Sequence, residues 1–178
     1  SPLLMNIVLN DLDVFIEDVL IPEHPTGKGR RVNPEYRHWQ NMAKKAWKRG
    51  DRQGYQAAQK KQRSLPSLKP DDPDFARLWY VRYADDSLLG WTGTKAEAEI
   101  IKERIGEFLL KKQKLEMSER KTLITNAREG KARFLNYNVG TMWDDTALKK
   151  VNGKKRRSIN GRIRLEIPSD VIRKWKRM

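Results

Sequence analysis

The residues best suited to chemistry in this chain are two adjacent acids, Asp85 and Asp86, set between two runs of strand-forming residues. Leu78-Trp79-Tyr80-Val81-Arg82-Tyr83 precedes Ala84 and the acids, and Ser87-Leu88-Leu89-Gly90-Trp91 follows them. The pattern predicts a β-hairpin with the acids at its turn. Carboxylates paired in this way offer oxygen ligands to one or two Mg²⁺ ions, hard cations that hold phosphates. Asp is also common in solvated turns, so the pair alone leaves both readings open. Composition removes several competing chemistries. The chain has no Cys, which excludes disulfides, thiolate ligands and thiol nucleophiles. Its two His, His24 and His38, read as surface residues and leave little room for a His-rich metal site or a triad.

The elements that must position these acids follow from periodicity and caps. Ser1 and Pro2 form a cap and first helical residue, and the apolar residues from Leu3 to Leu20 recur at helical spacing. This predicts an amphipathic helix over 2–20, ended by Pro22. Asp11, Asp13, Glu17 and Asp18 within it, and the lack of a basic leader, exclude a signal peptide or a membrane span. Residues 21–33 read as a basic loop, 34–49 as a helix stopped by Gly50, and 51–63 as a second short helix. Pro66, Pro70 and Pro73 mark a linker. After the hairpin, Thr94 and Glu97 form a capping box that opens a helix over about 95–112. Short strands are expected near 114–117, 121–125 and 132–139. Asn152-Gly153 and Asn160-Gly161 are turn signals, Arg162–Ile167 reads as a strand, and a short helix opens at Pro168-Ser169-Asp170. The abrupt start and the short last helix lead us to expect a segment cut from a longer protein.

Charge divides the 178 residues unevenly. The net +15 is the sum of −4 over 1–20, +10 over 21–70, −1 over 71–148 and +10 over 149–178. Two basic blocks flanking a near-neutral middle are expected of a polyanion binder. In the first block, Arg30, Arg31, Lys44, Lys45, Lys48 and Arg49 interleave with Tyr36, Trp39, Trp47 and Tyr55, which combines phosphate contact with stacking, as in RNA recognition. The alternative is a solvated helical face over a small aromatic core. Lys154, Lys155, Arg156 and Arg157 lie in the second block.

Several ordered segments carry a family resemblance. Tyr83-Ala84-Asp85-Asp86, after Val81-Arg82, resembles the catalytic loop of reverse transcriptases of bacterial group II introns. Ser1-Pro2-Leu3-Leu4-Met5-Asn6-Ile7 resembles the motif that opens a palm helix. Leu115–Thr122, with Lys121, resembles a later palm motif, and Arg133-Phe134-Leu135-Asn136-Tyr137 resembles the primer grip. Gly161–Leu165 with Pro168 resembles the entry to the thumb, or maturase, domain.

This resemblance implies an α+β right-hand polymerase palm, an antiparallel sheet packed on helices, with a basic helical insertion and the start of a helical thumb. The expected divisions are a palm helix (1–20), the insertion and linker (21–76), the palm core (77–143) and a basic connection leading into the thumb (144–178). The implied activity is RNA-directed DNA synthesis by two-metal nucleotidyl transfer from dNTP to a primer 3′-hydroxyl, with two Mg²⁺ ions. Asp85 and Asp86 are the implied metal ligands, and a third carboxylate is expected upstream. Asn6, Tyr83 and Ala84 are implied at the nucleotide, and Lys121 as a phosphate contact or a proton donor to pyrophosphate. Phe134, Leu135, Asn136 and Tyr137 form the implied primer grip; Asn136 replaces the usual glycine but tolerates left-handed backbone. Arg82 reads as pairing near the hairpin rather than contacting substrate. The implied partners are intron RNA, an RNA template with DNA primer, dNTP and a DNA target, with no membrane, in the cytoplasm or nucleoid. The alternative is an RNA-binding maturase fragment without polymerase activity of its own, or a palm-like scaffold.

Overall fold

The computed structural model describes residues 2–144, 146–151, 153–157 and 159–177, with the side chains of Pro2, Leu148, Val151 and residues 154–157 outside that description. The expected cap at Ser1, the turn residue Asn152 and the end of the last helix at Met178 therefore lie outside the described residues. The fold is α+β, and its residues group into two compact units that do not follow chain order.

The first unit comprises the residues up to Gly27, Pro73–Thr141 and those from Ile163 on. It opens with α1 (Pro2–Val14), which continues as a π-helical segment, Phe15–Leu20, and a last turn, α2 (Ile21–Glu23). The helical run thus passes Pro22 by one residue instead of stopping before it. Proline deletes an amide and crowds the preceding turn. Here the Ile21 amide donates to the Ile16 carbonyl in the wider π register, and Pro22 sits at the start of the last turn. His24 caps the run through Nδ1, 2.7 Å from the Leu20 carbonyl, and meets the Trp91 ring edge-on. It is half-buried, which corrects its reading as a surface residue.

β1 (Leu78–Tyr83) and β2 (Asp86–Trp91) form the expected antiparallel hairpin. Strand alternation sends Leu78, Tyr80 and Arg82 to one face and leaves Trp79, Val81 and Tyr83 exposed on the other. The inner face lies on the core, where Leu9, Leu12, Ile16 and Leu20 from the first helical run meet Leu78 and Ile101 and Ile105 of α5 (Lys95–Phe108). Ile16 and Leu20 are almost wholly buried, each worth roughly 1.5–3 kcal/mol of transfer free energy. Phe15 and Phe108 stack with ring centroids 4.3 Å apart. Both halves of the Thr94–Glu97 capping box are formed. The backbone amide of Thr94, then its hydroxyl, donate to Glu97 and hold its carboxyl below the usual range.

After α5, a π-helical segment (Leu109–Gln113) replaces the last expected α-turn, ending at Lys114 with φ 55°. The strands expected at 114–117 and 121–125 are extended or turn-like chain without ladder partners among the described residues. The strand expected over 132–139 is instead a hairpin, β3 (Ala132–Phe134) and β4 (Tyr137–Met142), and β7 (Arg162–Glu166) lies beside β4. α6 (Ser169–Trp175) follows.

The second unit comprises Lys28–Asp72 and Met142–Arg162. α3 (Pro34–Lys48) and α4 (Arg52–Ser64) pack as a helical hairpin over Ala43 and Ala58, the buried residues of the two helices. Asn33 and Asp51 supply the N-caps, accepting from the Glu35 and Gly54 amides. Gly50, at φ 73°, makes the turn that an L-residue would resist. β5 (Leu148–Val151) and β6 (Lys154–Arg157) form an antiparallel hairpin in the same unit.

Candidate active site

The hairpin turn is the shortest kind. Tyr83 pairs with Asp86, so only Ala84 and Asp85 connect the strands, and Asp86 belongs to β2 rather than to the turn. Two-residue hairpins need positive φ at the first central position, and Ala84 adopts φ 54°. A non-glycine residue there carries roughly 1–2 kcal/mol of backbone strain. That strain must be held by neighbours.

Arg82 does the holding. Its Nη1 donates to the Ala84 carbonyl at 2.6 Å and to Asn6 Oδ1 at 2.9 Å. Its Nε and Nη2 donate to the two oxygens of Asp13 in a bidentate pair. The Tyr80 hydroxyl donates to Asp13 Oδ1 at 2.8 Å. The Arg82 side chain is 12% exposed and that of Asp13 25%, so the pair is largely shielded from water. The hydrogen bond from Arg82 lowers the Asp13 pKa, and burial raises that of Tyr80. One guanidinium therefore ties helix α1, through Asn6 and Asp13, to the carbonyl that starts the turn.

Asp85 and Asp86 are both exposed, and neither carboxylate has a hydrogen-bond or ion-pair partner among the described residues. Two unpaired carboxylates on a braced turn suit a hard cation, which takes oxygen ligands and needs a fixed donor set. No group of three His, Cys, Asp or Glu side chains that could hold a metal ion forms among the described residues.

The remaining expected residues fall as follows. Tyr83 is 68% exposed at the end of β1. Asn6 reaches the hairpin through Arg82, and its amide nitrogen has no partner among the described residues. Lys121 is exposed in a turn whose amides at 121 and 122 donate to the Ser118 carbonyl. Leu135 and Asn136 form the turn between β3 and β4 with φ 48° and 62°, so Asn136 takes the left-handed geometry expected of it. Phe134 and Tyr137 flank that turn as register partners. Arg133 pairs with Asp170 of α6. Within the second unit, the Arg31 amide and Nε both bind Asp72, a buried carboxylate, so Arg31 has a structural duty besides any contact with RNA. Lys44, Lys45, Lys48 and Arg49 are exposed with no carboxylate partner among the described residues. The side chains of Lys154, Lys155, Arg156 and Arg157 lie outside the described residues.

Asp13 and Tyr80 are the members of this brace that sequence reasoning missed. Asn6 and Asp13 stand seven apart on one helix, which places them on the same face. Tyr80 and Arg82 share the inner face of β1. An acid on the helix and an arginine on the strand were the available signal.

No helix among the described residues is long and apolar enough to cross a membrane. No family model matches the chain. Curated relatives do. The chain is 36% identical over 183 aligned positions, 98% of its length, to the group II intron-encoded protein LtrA of Lactococcus lactis subsp. cremoris, of which it spans 30%. It is 38% identical over 90% of its length to a protein of Saccharomyces cerevisiae named for intron 1 of COX1/OXI3, spanning 19% of it. It is 30% identical over 73% of its length to protein YkfC of Escherichia coli K12, spanning 28%. The chain thus covers less than a third of these relatives. With 36–38% identity along 90–98% of its length, the chain belongs to the group II intron-encoded proteins.

Proposed function

We propose that these 178 residues carry the metal-binding hairpin and part of the RNA-binding surface of a group II intron reverse transcriptase and maturase, built as a polymerase palm with a basic insertion and the start of a thumb. The observation that carries this reading is the Asp85–Asp86 pair, unpartnered among the described residues and set at a hairpin end braced by Arg82 and Asp13. The substrates are dNTP and an RNA template with its DNA primer, and the RNA partner is the intron.

Asp85 and Asp86 would hold Mg²⁺, with a further carboxylate completing the set for two ions. Bound Mg²⁺ supplies charge stabilisation to phosphoryl transfer and lowers the pKa of the primer 3′-hydroxyl. The chain's own residues supply position. Arg82 fixes the Ala84 carbonyl and with it the backbone from which the two carboxylates project. Asn6, held through its oxygen, presents its amide nitrogen as a donor to the nucleotide. Lys121 donates a proton to the leaving pyrophosphate or a hydrogen bond to its oxygens. The Phe134–Tyr137 turn grips the primer. Lys44, Lys45, Lys48 and Arg49 bind RNA phosphates.

The alternative, RNA binding without polymerisation by this chain alone, is favoured by one observation: no group of three His, Cys, Asp or Glu that could hold a metal ion forms among the described residues. The two readings separate by assay. A protein of the relatives' full length carrying these residues should extend a primer on an RNA template. The 178 residues alone should bind intron RNA without extending a primer. Mg²⁺-dependent synthesis by the 178 residues alone would remove the need for a further carboxylate.

A further inference from the structure

We propose that the cleft between α3 and α4 binds one unpaired nucleotide of RNA, with the base against Trp39 and the phosphate at Lys45 and Arg49. The inference rests on the reading of this unit as RNA-facing and adds a specific site and ligand to it. The cleft has a volume of about 410 Å³ and opens to solvent. Trp39, Met42 and Ala46 line it from α3, and Ala57 lines it from α4. His38 meets the Trp39 indole edge-on, 5.3 Å between ring centroids, which helps fix the plane on which a base would stack.

Polar groups stand at its rim in a pattern that suits a nucleotide. Lys45 and Arg49 are exposed without carboxylate partners among the described residues. Across residues 34–64, nine Lys and Arg stand against Glu35 and Asp51. Asp51 is the one acid in the cleft. Its Oδ1 accepts the Gly54 amide at 2.8 Å, and its Oδ2 overhangs Gly54, where a Cβ would lie 2.0 Å away. Glycine at this helical position costs about 1 kcal/mol relative to alanine. The close approach of the carboxylate accounts for it. Oδ2 has no hydrogen-bond partner among the described residues, and Asp51 lines the cleft.

An apolar wall with one indole, two cations and one acceptor is matched by a base carrying an exocyclic amine on a phosphate backbone. Stacking is how unpaired bases are held. An acidic peptide meets the cations, but its carboxylates repel that of Asp51 and it brings no planar base to the indole. An A-form duplex keeps its bases stacked and gives the indole nothing to hold.

The test uses the full 178-residue chain and fluorescence anisotropy with labelled ten-nucleotide oligo(A), oligo(U) and a ten-base-pair RNA duplex at fixed salt. Oligo(A) should bind more tightly than oligo(U) or the duplex. Ala57→Leu fills the cleft from an exposed position and favours helix; it should weaken oligo(A) about tenfold and leave duplex binding and its salt slope unchanged. Asp51→Asn keeps an N-cap residue and should erase the preference for oligo(A) over oligo(U). Circular dichroism confirms that both variants keep their helix content. If Ala57→Leu binds oligo(A) like the wild type while RNA affinity still falls with salt, the cleft is not the site and the broader RNA reading stands. If no RNA binds with salt dependence, the RNA reading itself fails. Capture of a glutamate-rich peptide that Ala57→Leu abolishes, with no preference for oligo(A), would overturn the proposal in favour of a protein ligand.

Discussion

Replacing Asp13 with asparagine removes the counter-charge of Arg82 while nearly preserving shape. Arg82 is 12% exposed and gives two of its hydrogen bonds to Asp13. Charged hydrogen bonds contribute about 1.5–3 kcal/mol, and breaking a fully buried pair costs about 3–5 kcal/mol. Asp13 keeps a quarter of its side-chain exposure, so water can partly compensate. We expect a loss of about 2 kcal/mol, placed at the hairpin because Arg82 also holds the Ala84 carbonyl. Hydrogen exchange of the β1 and β2 amides reads this directly: protection should fall about 30-fold at pH 7. The Asp13 pKa is lowered in the folded state, so its stabilisation is complete above the unfolded carboxylate range and lost as pH falls through the folded value. The gap between wild type and Asp13→Asn should therefore begin to narrow as pH falls past about 4 and close only below the lowered folded value. Arg82→Met alone should have a similar effect, and the double variant little more than either single one. Fully additive effects, or less than a threefold change in protection, would refute the bracing role.

Three further outcomes follow from the same geometry. Ala84→Gly removes the positive-φ strain at a cost in unfolded-state entropy and should stabilise the hairpin by about 0.5–1 kcal/mol, read by the same exchange experiment. Thr94→Ala removes the α5 capping box and should cost about 1 kcal/mol in urea unfolding, with the Glu97 pKa rising toward its ordinary value in an NMR titration. Filter binding of intron RNA should show a steep salt dependence that becomes shallower when Lys44, Lys45, Lys48 and Arg49 are all changed to Ala; an unchanged slope would assign those residues to a solvated face.

Much of the fold is legible in the sequence because it follows from local chemistry. The Thr94–Glu97 box, the two-strand alternation around Ala84-Asp85 and the Gly50 stop each act within a few residues, and each forms as expected. Asn136 adopts left-handed backbone for the same local reason. The misreadings come from longer range. Residues 114–125 contain strand-forming residues, but a strand needs a ladder partner, and Leu123 stays 73% exposed without one. The π-helical segments at Phe15–Leu20 and Leu109–Gln113 have no composition signal; they occur where the two helices meet through the stacked Phe15 and Phe108. The acids of the site were visible at once. The brace was not, because Asp13 and Arg82 are 69 residues apart and meet only when the hairpin lies on α1.

The central claim, that Asp85 and Asp86 serve nucleotidyl transfer while the basic helices serve RNA binding, is tested by crossing two variants with two assays. In a protein of the relatives' full length, Asp85→Asn should abolish primer extension on an RNA template and leave intron RNA affinity unchanged. The variant with Lys44, Lys45, Lys48 and Arg49 changed to Ala should weaken RNA affinity and still extend a primer supplied at saturating concentration. Primer extension unchanged by Asp85→Asn would contradict the account.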